Sequence, residues 1–208
     1  MTEVFTAYKY ANAQLNASHS YLLPVLKNIL HSRDSTGRLF ELGCGNGSIA
    51  SQINQMGFDV TGVDPSDEGI AHARMQYPHL KLFQGSAYDD LAETFGRFPV
   101  VVSLEVVEHV YFPRKYARTI GNLLEPGGFA IISTPYHGYW KNLALAITGK
   151  MDAHFTALWD GGHIKFWSVK TLTELLSEAG LEVVRVERVG RIPPLAKSMI
   201  VLAKKAVS

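Results

Sequence analysis

Two glutamates and a histidine, Glu105, Glu108 and His109, follow directly on "FPVVVSL", a run that reads as a fully buried strand. Ionised side chains cost too much to bury without partners, so this cluster is expected at an opening. If the chain turns helically there, residues at i, i+3 and i+4 share a face, which is the spacing of these three. Carboxylates and an imidazole so grouped can take or hold a proton on a bound molecule.

A second chemical signal lies upstream. "ELGCGNG", Glu41 to Gly47, carries glycines at alternate positions, where a chain can bend sharply and come close to a ligand. Asp64 stands 21 residues after Gly43, the place from which an acid can hydrogen-bond a ribose diol. A dinucleotide fingerprint needs glycine where Ser48 stands. The acid at Glu41 would repel a pyrophosphate and would suit a cationic, amine-bearing ligand.

The elements that must position these residues alternate between short apolar runs and helical segments. "RLFELG" (38–43), "DVTGVD" (59–64), "KLFQG" (81–85), "PVVVSL" (99–104) and "FAIIST" (129–134) read as strands. Helices are expected at 20–32, 46–57, 66–77 with Ser66 as N-cap, 111–124 and 168–180, and "EPGG" reads as a turn. This order predicts an α/β fold, a Rossmann-like doubly wound sheet of seven strands with helices on both faces. "LEVVRVERVG" (181–190) and "KSMIVLAKK" (197–205) are close enough to pair as a hairpin, so the sheet is expected to be mostly parallel with an antiparallel C-terminal strand.

Composition narrows the partners. The 208 residues carry 20 basic and 19 acidic side chains, a net charge of +1, which gives no support to a broad nucleic-acid or anionic-lipid footprint but leaves room for a local basic patch. A single cysteine, Cys44, excludes an internal disulfide and a zinc site of several thiolates. No secretory signal or spanning segment is read, so the expected location is cytoplasmic. One domain, 1–208, is expected, with residues 1–36 as a helical N-terminal cap.

"ELGCGNG", "GVD", "GSAYDDL", "EVVEHV" and "LLEPGGFAIIST", in that order, resemble the motifs of class I S-adenosylmethionine-dependent methyltransferases, from about Leu39 to Lys204. The resemblance implies S-adenosylmethionine as cofactor. Glu41, Gly43, Gly45 and Gly47 would surround its methionyl end, and Asp64, with Pro65 beside it, would hold the ribose. Ser86 and Ala87 would border the adenine, and Leu104 and Glu105 would pass beside the bound molecule. Many relatives have aspartate where Ser86 stands, to accept from the adenine amine.

"EVVEHV" is similar to the E-x-x-E-H segment of ubiquinone-biosynthesis O-methyltransferases. It also resembles that of small-RNA 3′-terminal 2′-O-methyltransferases, in which both glutamates, the histidine and a later histidine hold a divalent metal. "GGHIKFWS" resembles the context of that later histidine and places His163 54 residues after His109. The implied metal site is Glu105, Glu108, His109 and His163. Carboxylates alone suit Mg²⁺, and two imidazoles move the preference toward Mn²⁺ and its neighbours. A metal-free role for the same four residues, as bases or as ties for the loop, stays open beside it.

The stretch 134–167 is a long insertion containing all three tryptophans, Trp140, Trp159 and Trp167. It is expected to be a lid over a largely apolar acceptor pocket, with a short helix at "WKNLALAITG" that could meet a bilayer peripherally and admit a lipid-tailed substrate. Tyr8, Tyr10, His19 and Tyr21 are candidates to close the cofactor cleft. The expected activity is O-methylation of an aromatic or quinol-like small molecule. The rivals are 2′-O-methylation of RNA ends, which near-neutral charge disfavours, and a cofactor-binding module without catalysis.

Overall fold

The computed structural model describes residue 15 and residues 17–32 and 37–207. Tyr8 and Tyr10 lie outside the described residues, as does most of the expected cap at 1–36.

Seven strands form one sheet: β1 (Arg38–Leu42), β2 (Asp59–Asp64), β3 (Lys81–Gln84), β4 (Phe98–Leu104), β5 (Leu124–Pro135), β6 (Leu181–Val189) and β7 (Ser198–Lys205). Their spatial order is β3-β2-β1-β4-β5-β7-β6. Pairing is parallel from β3 through β5, and β7 runs antiparallel to both β5 and β6. The fold is thus the doubly wound, mostly parallel sheet with one reversed C-terminal strand that the sequence pattern predicts.

Each central strand is apolar on both faces because helices cover both faces. Leu39, Val100, Val102 and Ile131 point to one core, against Leu22, Leu26 and Ile29 of α1 (His19–His31), Ile49 and Ile53 of α2 (Ser48–Asn54), and Ile70 and Ala73 of α3 (Asp67–Gln76). Their alternates, Phe40, Leu42, Val101 and Ile132, point to the other core. There they meet Leu91 of α4 (Leu91–Phe95), Tyr116 and Ile120 of α5 (Pro113–Leu123), and, past two further helices, Leu172 and Leu176 of α8 (Val169–Glu178). Each fully buried aliphatic contributes roughly 1.5–3 kcal/mol.

Local signals decide most boundaries. Ser66 caps α3 by accepting from Gly69 N–H at 3.1 Å, worth about 1 kcal/mol. α5 starts at Pro113, whose missing N–H is no loss at the first helical position. The turn expected at "EPGG" is instead an irregularity inside the 12-residue β5: Phe98 pairs with Leu124 but Val100 pairs with Phe129. Gly128 permits it, since a Cβ there would lie 2.9 Å from the Pro99 carbonyl oxygen. The five-residue α4 is absent from the sequence reading. The insertion 134–167 holds α6 (Tyr139–Ile147) and α7 (Met151–Phe155). Among the described residues no helix is long and apolar enough to cross a membrane.

Candidate active site

Beyond the carboxyl ends of β1, β2 and β4 the chain makes three turns that meet. In the first, Gly43 sits at φ +86° and Gly47 at φ +75°, a left-handed backbone that favours glycine. A Cβ on Gly43 would lie 2.3 Å from Val106 Cγ2, so this turn packs directly against the turn after β4. Asp64 fastens it from the next strand: Gly45 N–H donates to Oδ2 at 2.9 Å and Ser66 N–H to Oδ1 at 2.8 Å. Glu41 is 2% exposed, and its Oε2 is buried with no hydrogen-bond partner among the described residues. Burial, and then the charge of Asp64, push its carboxyl well above the usual carboxylate range. Such an oxygen beside a glycine turn fits an ammonium-bearing ligand.

Pro65 is exposed, next to Asp64. Ser86 is half-buried: its N–H donates to Asp89 Oδ2 at 2.7 Å and its Oγ accepts from Tyr88 N–H at 3.2 Å. Ala87 packs against the core, and Leu104 is buried at the end of β4.

After β4 the backbone makes one turn, closed by His109 N–H to Val106 O at 2.9 Å, and Glu105 precedes it at φ +55°. That left-handed residue breaks the helical spacing on which a shared face depends. Glu105 turns toward the sheet, where Ser133 Oγ donates to Oε1 at 2.8 Å and Ser198 Oγ to Oε2 at 3.3 Å. Its carboxyl is pushed up to about 7 by burial, against the pull of those hydroxyls and of Lys141.

Glu108, His109 and His163 do come together, their nearest ligand atoms within 4.8 Å of one another. The expected four-residue set is a three-residue one here, with Glu105 held apart by the serines. Glu108 is 1% exposed; Thr134 Oγ1 donates to its Oε2 at 3.0 Å, and Oε1 has no hydrogen-bond partner among the described residues. His109 Nε2 lies 4.0 Å and His163 Nε2 3.9 Å from that oxygen.

The sequence-distant His163 arrives because its loop wraps this turn. Ile164 and Lys165 N–H both donate to the Glu108 carbonyl, Trp167 Nε1 donates to the Val107 carbonyl, and His109 Nδ1 contacts the carbonyls of Gly161 and Gly162 at 3.0 and 3.1 Å. A carbonyl only accepts, so Nδ1 carries the proton and Nε2 presents its lone pair toward Glu108. Burial lowers His109, and burial with nearby cationic groups lowers His163 to about 4, so both rings are neutral at pH 7. Burial and the Glu105 charge push Glu108 well up.

Beside His163 opens a cavity of about 450 Å³ lined by His137, Asn142, Phe155, Ala157, His163 and Phe166. His137 stacks on Phe155 at 5.9 Å. Helix α6 is inverted: Lys141 is its buried residue, with Nζ donating to the Tyr136 and Lys197 carbonyls, while Tyr139, Trp140 and Ile147 are exposed. Of the cleft candidates, His19 starts α1, half-buried, and Tyr21 OH lies 3.4 Å from Ser198 Oγ, which links it to Glu105. Sequence reasoning missed Ser133, Thr134, Ser198 and Lys141. The polar pair ending the apolar run "AIIST" was the one available signal.

A methyltransferase domain model matches residues 13–186. The chain belongs to the methyltransferase-domain family. As a member of it, the chain is similar to a ubiquinone biosynthesis O-methyltransferase of a Caulobacter species, 39% identical over 126 residues, 59% of this chain and 48% of that one. It is 35% identical over 162 residues to the enzyme of the same name from Cereibacter sphaeroides, covering 74% of this chain and 63% of the relative. It therefore spans about half to two thirds of the length of these relatives. The fold is shared with magnesium protoporphyrin IX methyltransferase of Synechocystis, solved with bound SAH, at TM-score 0.69, 17% identity and coverage of 95% and 91%.

Proposed function

We propose that this methyltransferase-family chain transfers the methyl group of S-adenosylmethionine to an oxygen of an aromatic or quinol-like small molecule. The observation that carries the reading is the convergence of Glu108 Oε1 with two imidazole Nε2 atoms beside the glycine turn. On this reading Glu41 receives the cofactor ammonium, Gly43, Gly45 and Gly47 its methionyl chain, Asp64 its ribose, and Ser86 and Ala87 its adenine edge. Leu104 and Glu105 line its passage.

A sulfonium methyl needs no further activation, so the chain's task is to deliver a deprotonated oxygen in line with it. Phenols titrate at about 10, which makes a base at that oxygen worthwhile at pH 7. On this reading the bases are His109, through its Nε2 lone pair, and the neutral ring of His163, and the Gly161 and Gly162 carbonyls stabilise the His109 ring when it charges. The partnerless Glu108 oxygen with two imidazole nitrogens about it also fits a divalent cation, held by Glu108, His109 and His163. Such an ion would lower the acceptor's pKa. One carboxylate with two imidazoles favours Mn²⁺, Co²⁺ or Zn²⁺ over Mg²⁺.

The cavity of His137, Phe155 and Phe166 would take the acceptor ring, with residues 134–167 as its lid. The exposed apolar side of α6 supports an acceptor with a lipid tail and a peripheral bilayer contact. The test is a panel of diphenols and quinols incubated with S-adenosylmethionine, reading methylated product by mass spectrometry. Cofactor binding by calorimetry with no product across the panel would overturn the acceptor class and leave the cofactor assignment standing.

A further inference from the structure

On the outer side of the turn that carries Glu108 lies a second groove, of about 460 Å³, that the methyl-transfer reading does not use. Tyr111, Phe112, Pro113, Arg114, Lys115, Arg118 and Lys165 line it. Four of these seven are cationic. Arg114 is committed to Glu178, with Nη2 3.1 Å from Oε1. Among the described residues no carboxylate pairs with Lys115, Arg118 or Lys165.

On a chain of net charge +1 this is a local concentration of positive charge, the basic patch that composition left room for. Like charges around one concavity raise each other's energy, and an anion entering it relieves them. The first turn of the 11-residue α5 supplies the positive end of its dipole in the same place. Lys115 Nζ already lies 5.6 Å over the Tyr88 ring, and the half-exposed Tyr111 and Phe112 give the groove flat walls.

The groove is also built into the candidate site. Lys165 N–H donates to the Glu108 carbonyl at 3.0 Å, and Phe112 N–H donates to Tyr88 OH at 3.2 Å, two residues after Ser86. Its two walls are thus fastened to the acid turn on one side and to the loop after β3 on the other.

We infer that this groove is a phosphoryl-binding subsite. A phosphoryl group presents several charged oxygens to cations arriving from different directions, and a guanidinium meets two of them side by side. The inference stands on the groove itself and holds whatever the acceptor proves to be.

The test titrates pyrophosphate into the full chain by calorimetry, and in parallel measures sedimentation with phosphatidylcholine vesicles with and without phosphatidylglycerol. The same measurements are made on the double variant Arg118→Ala, Lys165→Ala, with circular dichroism and S-adenosylmethionine binding as controls for folding. Saturable pyrophosphate binding that weakens about tenfold or more in the double variant supports a subsite for a soluble phosphoryl compound. Phosphatidylglycerol-dependent sedimentation lost in the double variant supports the subsite with a lipid headgroup as its source. Absence of both, or no weakening of either in a folded double variant, overturns the inference.

Discussion

His163 Nε2 lies 3.9 Å from Glu108 Oε1, a buried oxygen without a hydrogen-bond partner among the described residues, although the two stand 55 positions apart in the chain. The approach depends on the Glu108 carbonyl, which accepts from Ile164 and Lys165 N–H and so pins the histidine's loop to the turn that bears the acid. Glu108 thus organises the site twice, by backbone and by side chain. Left alone, it is a buried acid facing neutral rings, an arrangement that gains stability by taking up a proton, a cation or an acceptor hydroxyl.

If a cation is what fills it, Co²⁺ titrated into the wild-type chain should give visible absorption of a nitrogen–oxygen site. The bands should be lost in Glu108→Gln and His163→Ala. Loss of one of three ligands should weaken binding by roughly a hundredfold, since outlying partners alone are worth 10–100-fold. Glu105→Gln should leave the spectrum nearly unchanged, because its oxygens belong to Ser133 and Ser198. A spectrum that depends on Glu105 as strongly as on Glu108 would refute the three-residue assignment.

Glu41 ties stability to pH. Its folded-state pKa stands well above the ordinary 4.5, so between those values the native state holds a proton that the unfolded chain has released. Stability then falls as pH rises through that window, by about 1.4 kcal/mol per unit. Glu41→Gln removes the dependence: the variant should melt above wild type at pH 8 and close to it at pH 5. It should also bind S-adenosylmethionine more weakly, and wild type should release a proton on binding. Calorimetry in buffers of different ionisation enthalpy reads that proton directly.

What was legible in the sequence follows from how local each determinant is. Apart from the early start of β5 at Leu124, the strands and most helices fall within a few residues of their expected bounds because alternation, caps and Pro113 act over a few positions. The glycine turn and Asp64 were readable for the same reason. Glu105 escaped because spacing assumes a right-handed turn, and φ +55° in a glutamate leaves no mark on its neighbours. Thr134 and Ser198 meet the glutamates across 26 and 93 residues, through the pairing of β4, β5 and β7. Lys141 inverts its helix, against the rule that places apolar residues inward, and two strand-end carbonyls explain it only once the fold is known.

Gly43→Ala should be among the most damaging single substitutions. The added methyl both enters a left-handed backbone and meets Val106 Cγ2 at 2.3 Å. The first effect costs about 1 kcal/mol and the second about 1–3 kcal/mol. Chemical denaturation should show a loss of roughly 2–4 kcal/mol. A paired Val106→Ala change should recover part of it, because it opens the space the methyl needs. No recovery would mean that the backbone, and not the contact between the two turns, carries the whole cost.

If the cavity beside His163 takes the acceptor ring, changing its walls tests this without touching the chemistry. Phe155 and Phe166 meet edge-to-face at 4.8 Å, and His137 lies against both. None of the three touches Glu108, His109 or the glycine turn by any described contact. Truncating Phe166 to alanine removes ring contacts that ground state and transition state share, so KM should rise while kcat holds. A stacking contact of about 1 kcal/mol corresponds to roughly a fivefold change. His163→Ala should act mainly on kcat, because a base matters only when the proton moves, with a smaller rise in KM from the cavity wall it also removes. Equal losses in kcat from both variants would mean that residues 134–167 assemble the chemistry and do not merely hold the ring.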